Sequence, residues 1–342
     1  MITHTIIKSR WTAIMVTLLM TFTSCMGQQT KRKKMTNETT PTNPLLCDPE
    51  TGTCEMPGSN TLHAITGNIQ PKTKPVKVIY FTDPICSSCW GIEPQLRKLN
   101  LEYGNNIEIE YHMGGLLPNW NYNSGGISKP SDVAHHWDEV SAYYDMPIDG
   151  DVWLEDPLNS SYPPSIAFKA AQLQDQEKAV LFLREIREMV FLQKKNITKW
   201  EHLAKAAVAV GLDADQLKTD FEGQARAAFE KDLQMAREYG VRGFPILFFM
   251  DSAGHKELVY GSKPYAFYEN AILKLLPQVT KNTYDKNWQS LFSAYHTLTA
   301  REFAELSGVQ RSESDQVLDS LVSKGLLEKS VTKNGAIWKK VK

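Results

Sequence analysis

A chain of 342 residues is long enough for two domains with buried cores, and 42% hydrophobic with 23% charged residues is ordinary for a soluble globular protein. A formal net charge of −1 leaves no global field to draw the chain to nucleic acid or anionic lipid. Five cysteines (Cys25, Cys47, Cys54, Cys86 and Cys89) are too few for a disulfide scaffold of this size, and their odd number asks which one differs.

The amino terminus bears on that question. Lys8 and Arg10 precede an apolar stretch, 11–22, that ends in Thr23-Ser24-Cys25. A positive start, a short apolar core and small residues are the layout of a secretory signal. The core is too short to span a bilayer as a mature helix. A cysteine directly after the small residues resembles a bacterial lipoprotein signal. The resemblance implies that 1–25 is a signal peptide, that Cys25 carries lipid, and that the chain is anchored to the cell envelope, facing the periplasm. Four cysteines then remain, an even number that suits an oxidising compartment. The alternative is translation from Met35, with Lys31-Arg32-Lys33-Lys34 encoded by the purine-rich codons of a ribosome-binding site. That start leaves the protein in the cytoplasm.

Residues 26–75 read as a flexible tether, rich in Thr, Asn, Pro, Lys and Gly. Within it, 47–54 holds turn formers between Cys47 and Cys54. This segment suits a small structural disulfide loop or two free thiols. A metal site is the weakest option, because no second ligand pair lies nearby.

The run 76–82 is β-branched and aromatic, and is predicted as a buried strand. Asp83-Pro84 breaks it, and a helical pattern follows from Cys89 to about Tyr103, with Pro94 placed to kink it. Alternation over 107–113 predicts a half-buried strand. Helical spacing then recurs over 131–144, 165–173, 179–192, 200–210 and 225–239. Strands return at 246–250 and 257–260 around a turn at 251–254, and a helix follows over 265–276. The expected fold is α/β: a thioredoxin-like domain over 76–280 with a helical insertion at about 130–239. The remainder, 284–342, predicts three helices and a hairpin, which resembles a small winged-helix domain.

Cys86-Ser87-Ser88-Cys89 stands at the turn between the first strand and helix. Thiol–disulfide exchange needs one sulfur that attacks and one that resolves the mixed disulfide. A helix amino terminus favours the thiolate of the first. Cys86 is therefore the expected exposed nucleophile and Cys89 the buried resolving thiol, with Ser87 and Ser88 placed to donate to the Cys86 thiolate. A proline directly before an apolar strand, in Gly243-Phe244-Pro245, suggests special backbone geometry.

These features resemble the DsbA-like families, especially the FrnE-like and SpxH (YjbH) branch, over roughly 75–280. The residues that carry the resemblance are Asp83-Pro84, Trp90, Gly91, Glu93-Pro94, Gly114-Gly115-Leu116, and 157–160 with Ala167, Ala170 and Ala171. It implies catalytic Cys86 and Cys89, a cis-proline at Pro245, and substrate binding by Phe244, Pro245 and Trp90. It further implies protein substrates with cysteines, a redox partner protein, and no organic cofactor or metal. Ser87-Ser88 departs from the Pro-His of the strong periplasmic oxidant. The SpxH-like branch suggests an alternative: an adaptor that delivers a regulator to a ClpXP-type protease, its cysteines sensing redox state.

Other residues carry less. Asp83 either assists proton transfer at Cys89 or caps the turn. His112 reads as structural, and the adjacent His135-His136 do not share a helix face. The second of the last two helices begins Ser312-Glu313-Ser314-Asp315, acidic where nucleic acid would lie, so no nucleic-acid partner is expected.

Overall fold

The computed structural model describes residues 47–48, 52–55, 74–121 and 128–341, so the signal segment, Cys25 and Met35 lie outside the described residues. Two short strands come first, β1 (Cys47–Asp48) and β2 (Thr53–Glu55). The β-branched run forms β3 (Val76–Thr82), followed by α1 (Ser87–Gly91), α2 (Glu93–Tyr103) and β4 (Ile107–Met113). Pro94 falls in the first turn of α2, where its missing N–H costs nothing. The predicted kink is a break at Ile92, between α1 and α2. β3 and β4 pair in parallel, with Val76 opposite Ile107. A parallel pair requires a crossover, which α1 and α2 provide.

The insertion comprises α3 (Pro130–Tyr144), α4 (Val152–Glu155), α5 (Tyr162–Gln174), α6 (Gln176–Leu192), α7 (Trp200–Ala209), α8 (Ala214–Glu222) and α9 (Gln224–Glu238). Apolar spacing marks five of these but not α4, which is one turn, or α8, which buries only Leu217 and Asp220. The chain returns through β5 (Gly243–Phe244), β6 (Ile246–Asp251), β7 (Lys256–Tyr260) and α10 (Tyr265–Leu275). The central sheet has the order β4-β3-β6-β7, with β6 antiparallel to both β3 and β7.

The period of two in β3 divides the core. Val76, Val78 and Tyr80 pack with Leu96, Leu99, Tyr268 and Ile272 of α2 and α10. Ile79 and Phe81 belong to the other core, with Phe168 and Phe191 from the insertion. The insertion therefore covers the face of the sheet from which the first helical turn after β3 emerges.

The carboxy-terminal segment holds α11 (Trp288–Ala294), β8 (Thr297–Thr299), α12 (Ala300–Ser307), α13 (Arg311–Ser323), β9 (Leu327–Thr332) and β10 (Gly335–Lys340). Its sheet runs β8-β10-β9 over its own core of Leu298, Phe303, Leu318 and Trp338. It does not stand apart, since the described residues form one compact unit. Buried charge makes the joint. Glu302 of α12, fully buried, accepts from Arg184 Nη1 and Nη2 on α6 at 2.8 and 3.1 Å, and lies 3.2 Å from Arg97 Nη1 on α2. Unpaired, each of these charges would cost several kcal/mol in the interior, which is why they meet. At the hairpin tip Lys333 pairs with Asp138 and Asp151 at 2.6 and 2.7 Å.

Candidate redox site

The turn after β3 is held by one carboxylate. Asp83 Oδ1 accepts the N–H of Ile85 at 3.0 Å, while Oδ2 accepts from Leu116 N at 2.7 Å and Ser161 Oγ at 2.8 Å. Asp83 is fully buried, and burial pushes its pKa up to about 6 against the opposing pull of those hydrogen bonds and of Arg187. Its contacts are those of a turn cap and a tie to the loop after β4. The backbone then places Cys86 at the N-cap of α1, where its Sγ accepts the N–H of Cys89 at 3.2 Å. A cap of this kind satisfies one of the free amides of the first turn.

Cys86 and Cys89 are both free thiols, and both are fully buried. The expectation of an exposed Cys86 is corrected: β2 lies over it. Burial pushes the Cys86 thiol well up, with Cys89 and Asp83 adding to the rise. Burial also opposes ionisation of Cys89. It is outweighed there by the hydrogen bond from Cys86, the Arg187 charge, and the Thr82 and Tyr80 hydroxyls, so the Cys89 pKa falls. Ionisation is thus favoured at the inner sulfur over the outer one. Of the two serines, Ser88 makes its contacts with Tyr144 and Cys54: its Oγ lies 2.7 Å from Tyr144 Oη and 3.3 Å from Cys54 Sγ.

Arg187, on α6, is absent from the sequence reading. It is fully buried and donates to Glu93 Oε1 at 2.6 Å, Thr82 Oγ1 at 2.6 Å and the Asp83 carbonyl at 3.2 Å. Its signal was available: it shares the apolar face of its helix with Leu183 and Val190, where a charge requires a buried partner.

The Phe244-Pro245 peptide bond is cis. Pro245 leads into β6, and its carbonyl accepts the N–H of Gly261 at 2.9 Å. Phe244 is fully buried against Gly114, where a Cβ would come within 1.8 Å of the ring. Only glycine allows that approach. The edge of β5 is occupied by β2, antiparallel, with Cys54 opposite Phe244 and Glu55 opposite Gly243. Gly52, at φ +67°, makes the turn into β2, and its carbonyl accepts Ser262 N at 2.7 Å. Cys54 is disulfide-bonded and fully buried, and in the ladder its backbone partner on β1 is Cys47. Its Sγ lies 3.3 Å from Cys86 Sγ.

Trp90 needs a correction as well. It is fully buried, stacks on Phe191 at 5.5 Å, lies under Arg184 at 4.3 Å and donates from Nε1 to the Pro147 carbonyl at 3.0 Å. A side chain committed on every side to the interior lines no substrate groove. His112 Nδ1 pairs with Asp232 at 2.8 Å, and among the described residues no cluster of His, Cys, Asp and Glu suited to a metal occurs. The site as built brings together Cys54, Cys86 and Cys89, backed by Arg187. It leaves Trp90 in the core.

Residues 80–270 match the family described as Thioredoxin. The chain is similar to the ClpXP adapter protein SpxH of Halalkalibacterium halodurans, 34% identical over 303 residues that cover 87% of this chain and 97% of that protein. It is also similar to the ClpXP adapter protein SpxH of Bacillus subtilis, 29% identical over 271 residues, 78% of this chain and 89% of that one. A solved structure from Nitrosomonas europaea, described as a candidate protein disulfide isomerase, superposes with a TM-score of 0.52 at 22% identity, covering 60% of this chain and 98% of its own.

Proposed function

The chain belongs to the SpxH family of thioredoxin-like proteins, and from that premise we propose that its Cys86–Cys89 pair exchanges disulfides with the cysteines of protein partners. The observation that carries this reading is the polarised pair itself. Cys86 caps a helix amino terminus, and Cys89 sits where Arg187 and two hydroxyls favour its thiolate. In the reaction, Cys86 passes its proton to the Cys89 thiolate and attacks a partner disulfide, and the partner sulfur that leaves takes that proton from Cys89. Cys89 then attacks Cys86 Sγ, forming the Cys86–Cys89 disulfide and releasing the second partner sulfur. The setting that favours the Cys89 thiolate suits it to take the Cys86 proton and, once that proton has left, to resolve the mixed disulfide. A partner strand adding to β5 would use the edge that β2 holds, so β2 must leave before Cys86 meets another protein. No organic cofactor or metal enters these steps. A second protein must restore the redox state after each turnover.

The test is reduction of insulin by the full chain, with Cys86→Ser as control. Turnover by the variant equal to that of the parent overturns the mechanism.

A second reading is an adapter that binds a regulator and delivers it to a ClpXP-type protease. It is favoured by the 97% coverage of an adapter's own length and by the closed state of the site. Delivery by a variant lacking both Cys86 and Cys89, read as protease-dependent degradation of the bound regulator, supports the adapter over the exchanger. The mature amino terminus separates the compartments. A lipidated Cys25 fits exchange in the envelope, and a start at Met35 fits the adapter in the cytoplasm.

A further inference from the structure

We propose that Cys54 is a third redox-active cysteine: β2 is an internal substrate strand whose disulfide exchanges with the Cys86–Cys89 pair. The inference deepens the exchange reading, on which it rests. Three independent placements carry it. β2 pairs with β5 at the residue before Pro245, the edge that an extended partner strand would take. Cys54 stands opposite Phe244 there, and its sulfur meets Cys86 Sγ at 3.3 Å, inside ordinary van der Waals contact for two sulfurs. The strand is also anchored from outside the pair, by Gly52 on Ser262.

A disulfide that served only as a staple for its own short loop would have no need of this position. A loop closed by residues so near in sequence gains little from cross-linking, and any surface location would serve. Cys54 is instead fully buried, with Ser88 Oγ 3.3 Å from its sulfur. A hydroxyl there can stabilise charge that develops on sulfur as the bond breaks.

We take the other half of the Cys54 disulfide to be Cys47, the residue across the ladder. The exchange then balances within the chain. Cys86 passes its proton to the Cys89 thiolate and attacks Cys54 Sγ, the Cys47–Cys54 bond breaks, and Cys47 leaves as a thiolate that takes the proton back from Cys89. Cys89, as thiolate, attacks Cys86 Sγ and expels Cys54 as a thiolate. Two electrons have passed from the Cys86–Cys89 dithiol to the loop disulfide, and one disulfide has moved from the loop to the helix. The reverse sequence is equally balanced. Because β2 blocks the β5 edge, a loop that releases after reduction would open the site to an external partner.

The experiment stops the exchange at its midpoint. Full-length Cys89→Ser, purified oxidised, is quenched in acid, alkylated, digested and mapped by mass spectrometry. The expected product is a disulfide joining the Cys54 peptide to the Cys86 peptide, with Cys47 alkylated. Cys89→Ala is mapped in parallel, in case the serine disturbs folding. An intact Cys47–Cys54 disulfide with Cys86 fully alkylated in both variants overturns the proposal. Insulin reduction by the parent chain keeps the two ideas apart. Turnover without any Cys54–Cys86 link sinks the internal relay alone, and loss of turnover with the link present sinks exchange with external proteins alone.

Discussion

Asp83 offers a quantitative test, because its buried carboxyl titrates where stability can be measured. Its pKa is raised from the ordinary 3.8 to about 6, chiefly by burial. A carboxyl whose folded pKa exceeds its unfolded one holds its proton more tightly in the folded state. Its favourable contribution is complete below pH 3.8 and is lost as pH rises through about 6. Above that range the ionised group penalises the fold by about 3 kcal/mol, and near pH 4.5 by only about 1 kcal/mol. Asp83→Asn removes the titration but not the side chain's shape. It also leaves the Leu116 N–H without its acceptor, a cost of about 1–3 kcal/mol that does not depend on pH. The offset between variant and parent is therefore uninformative, and the slope is the diagnostic. From about pH 4.5 to about pH 8, Asp83→Asn should gain about 2 kcal/mol on the parent. Urea denaturation of the reduced proteins across that range measures it. Parallel stability curves would refute the assignment of a raised pKa and, with it, the view that Asp83 is held dry beneath the redox turn.

Three further outcomes are expected. Arg187→Met removes the cation that favours the Cys89 thiolate, so the thiolate absorbance of the reduced chain should titrate at higher pH, and an unchanged titration would exclude Arg187 as the cause. Glu302→Gln leaves Arg184 and Arg97 buried against a neutral amide and should cost about 3 kcal/mol in denaturant unfolding; a loss within error of zero would mean that the joint is solvated. That ion-paired carboxyl has a lowered pKa, so its contribution is present above the ordinary 4.5 and is lost as pH falls through the folded value. Trp90→Phe gives up the Pro147 hydrogen bond and part of the packing, so it should lower stability by about 2 kcal/mol while leaving KM for insulin unchanged; a raised KM with unchanged stability would return Trp90 to the substrate groove.

What the sequence made legible follows from the range of each signal. β3 and β4 are dense runs of β-branched and alternating residues, and their residue bounds coincide with the predicted strands. The cysteine pair and Pro245 were found because motifs fix short spacings. β2 was hidden. Three residues in a polar tether carry no periodicity, and their partner, β5, is two residues long and distant in the chain. Pairing of that kind is set by the tertiary surface rather than by local pattern. The same covering strand is why Cys86 reads as exposed and is buried. Trp90 was misassigned for a related reason. An aromatic next to a redox cysteine is placed by the turn of α1, and the turn directs it to the insertion, whose helices the sequence does not dock. Arg187 differs, since its anomaly lies in one helix and is visible there.

The charges behind the site limit what oxidation can do to the rest of the molecule. Arg187 joins Glu93, Glu93 approaches Arg184 at 3.7 Å, and Arg184 meets Glu302 of the carboxy-terminal segment. Glu188 closes on Arg184 at 2.6 Å, and Arg97 on Glu302 at 3.2 Å. Arg97, Arg184 and Arg187 thus face Glu93, Glu188 and Glu302, and the cluster is neutral before any thiolate is counted. The Cys89 thiolate is favoured by the position of Arg187, not by an excess of positive charge. Oxidation to a disulfide removes that thiolate and leaves every carboxylate and guanidinium of the joint with its partner. The joint therefore holds in both redox states. Under the proposed exchange, the element that redox change moves is the one whose own covalent bond is exchanged: β2, on the edge of β5.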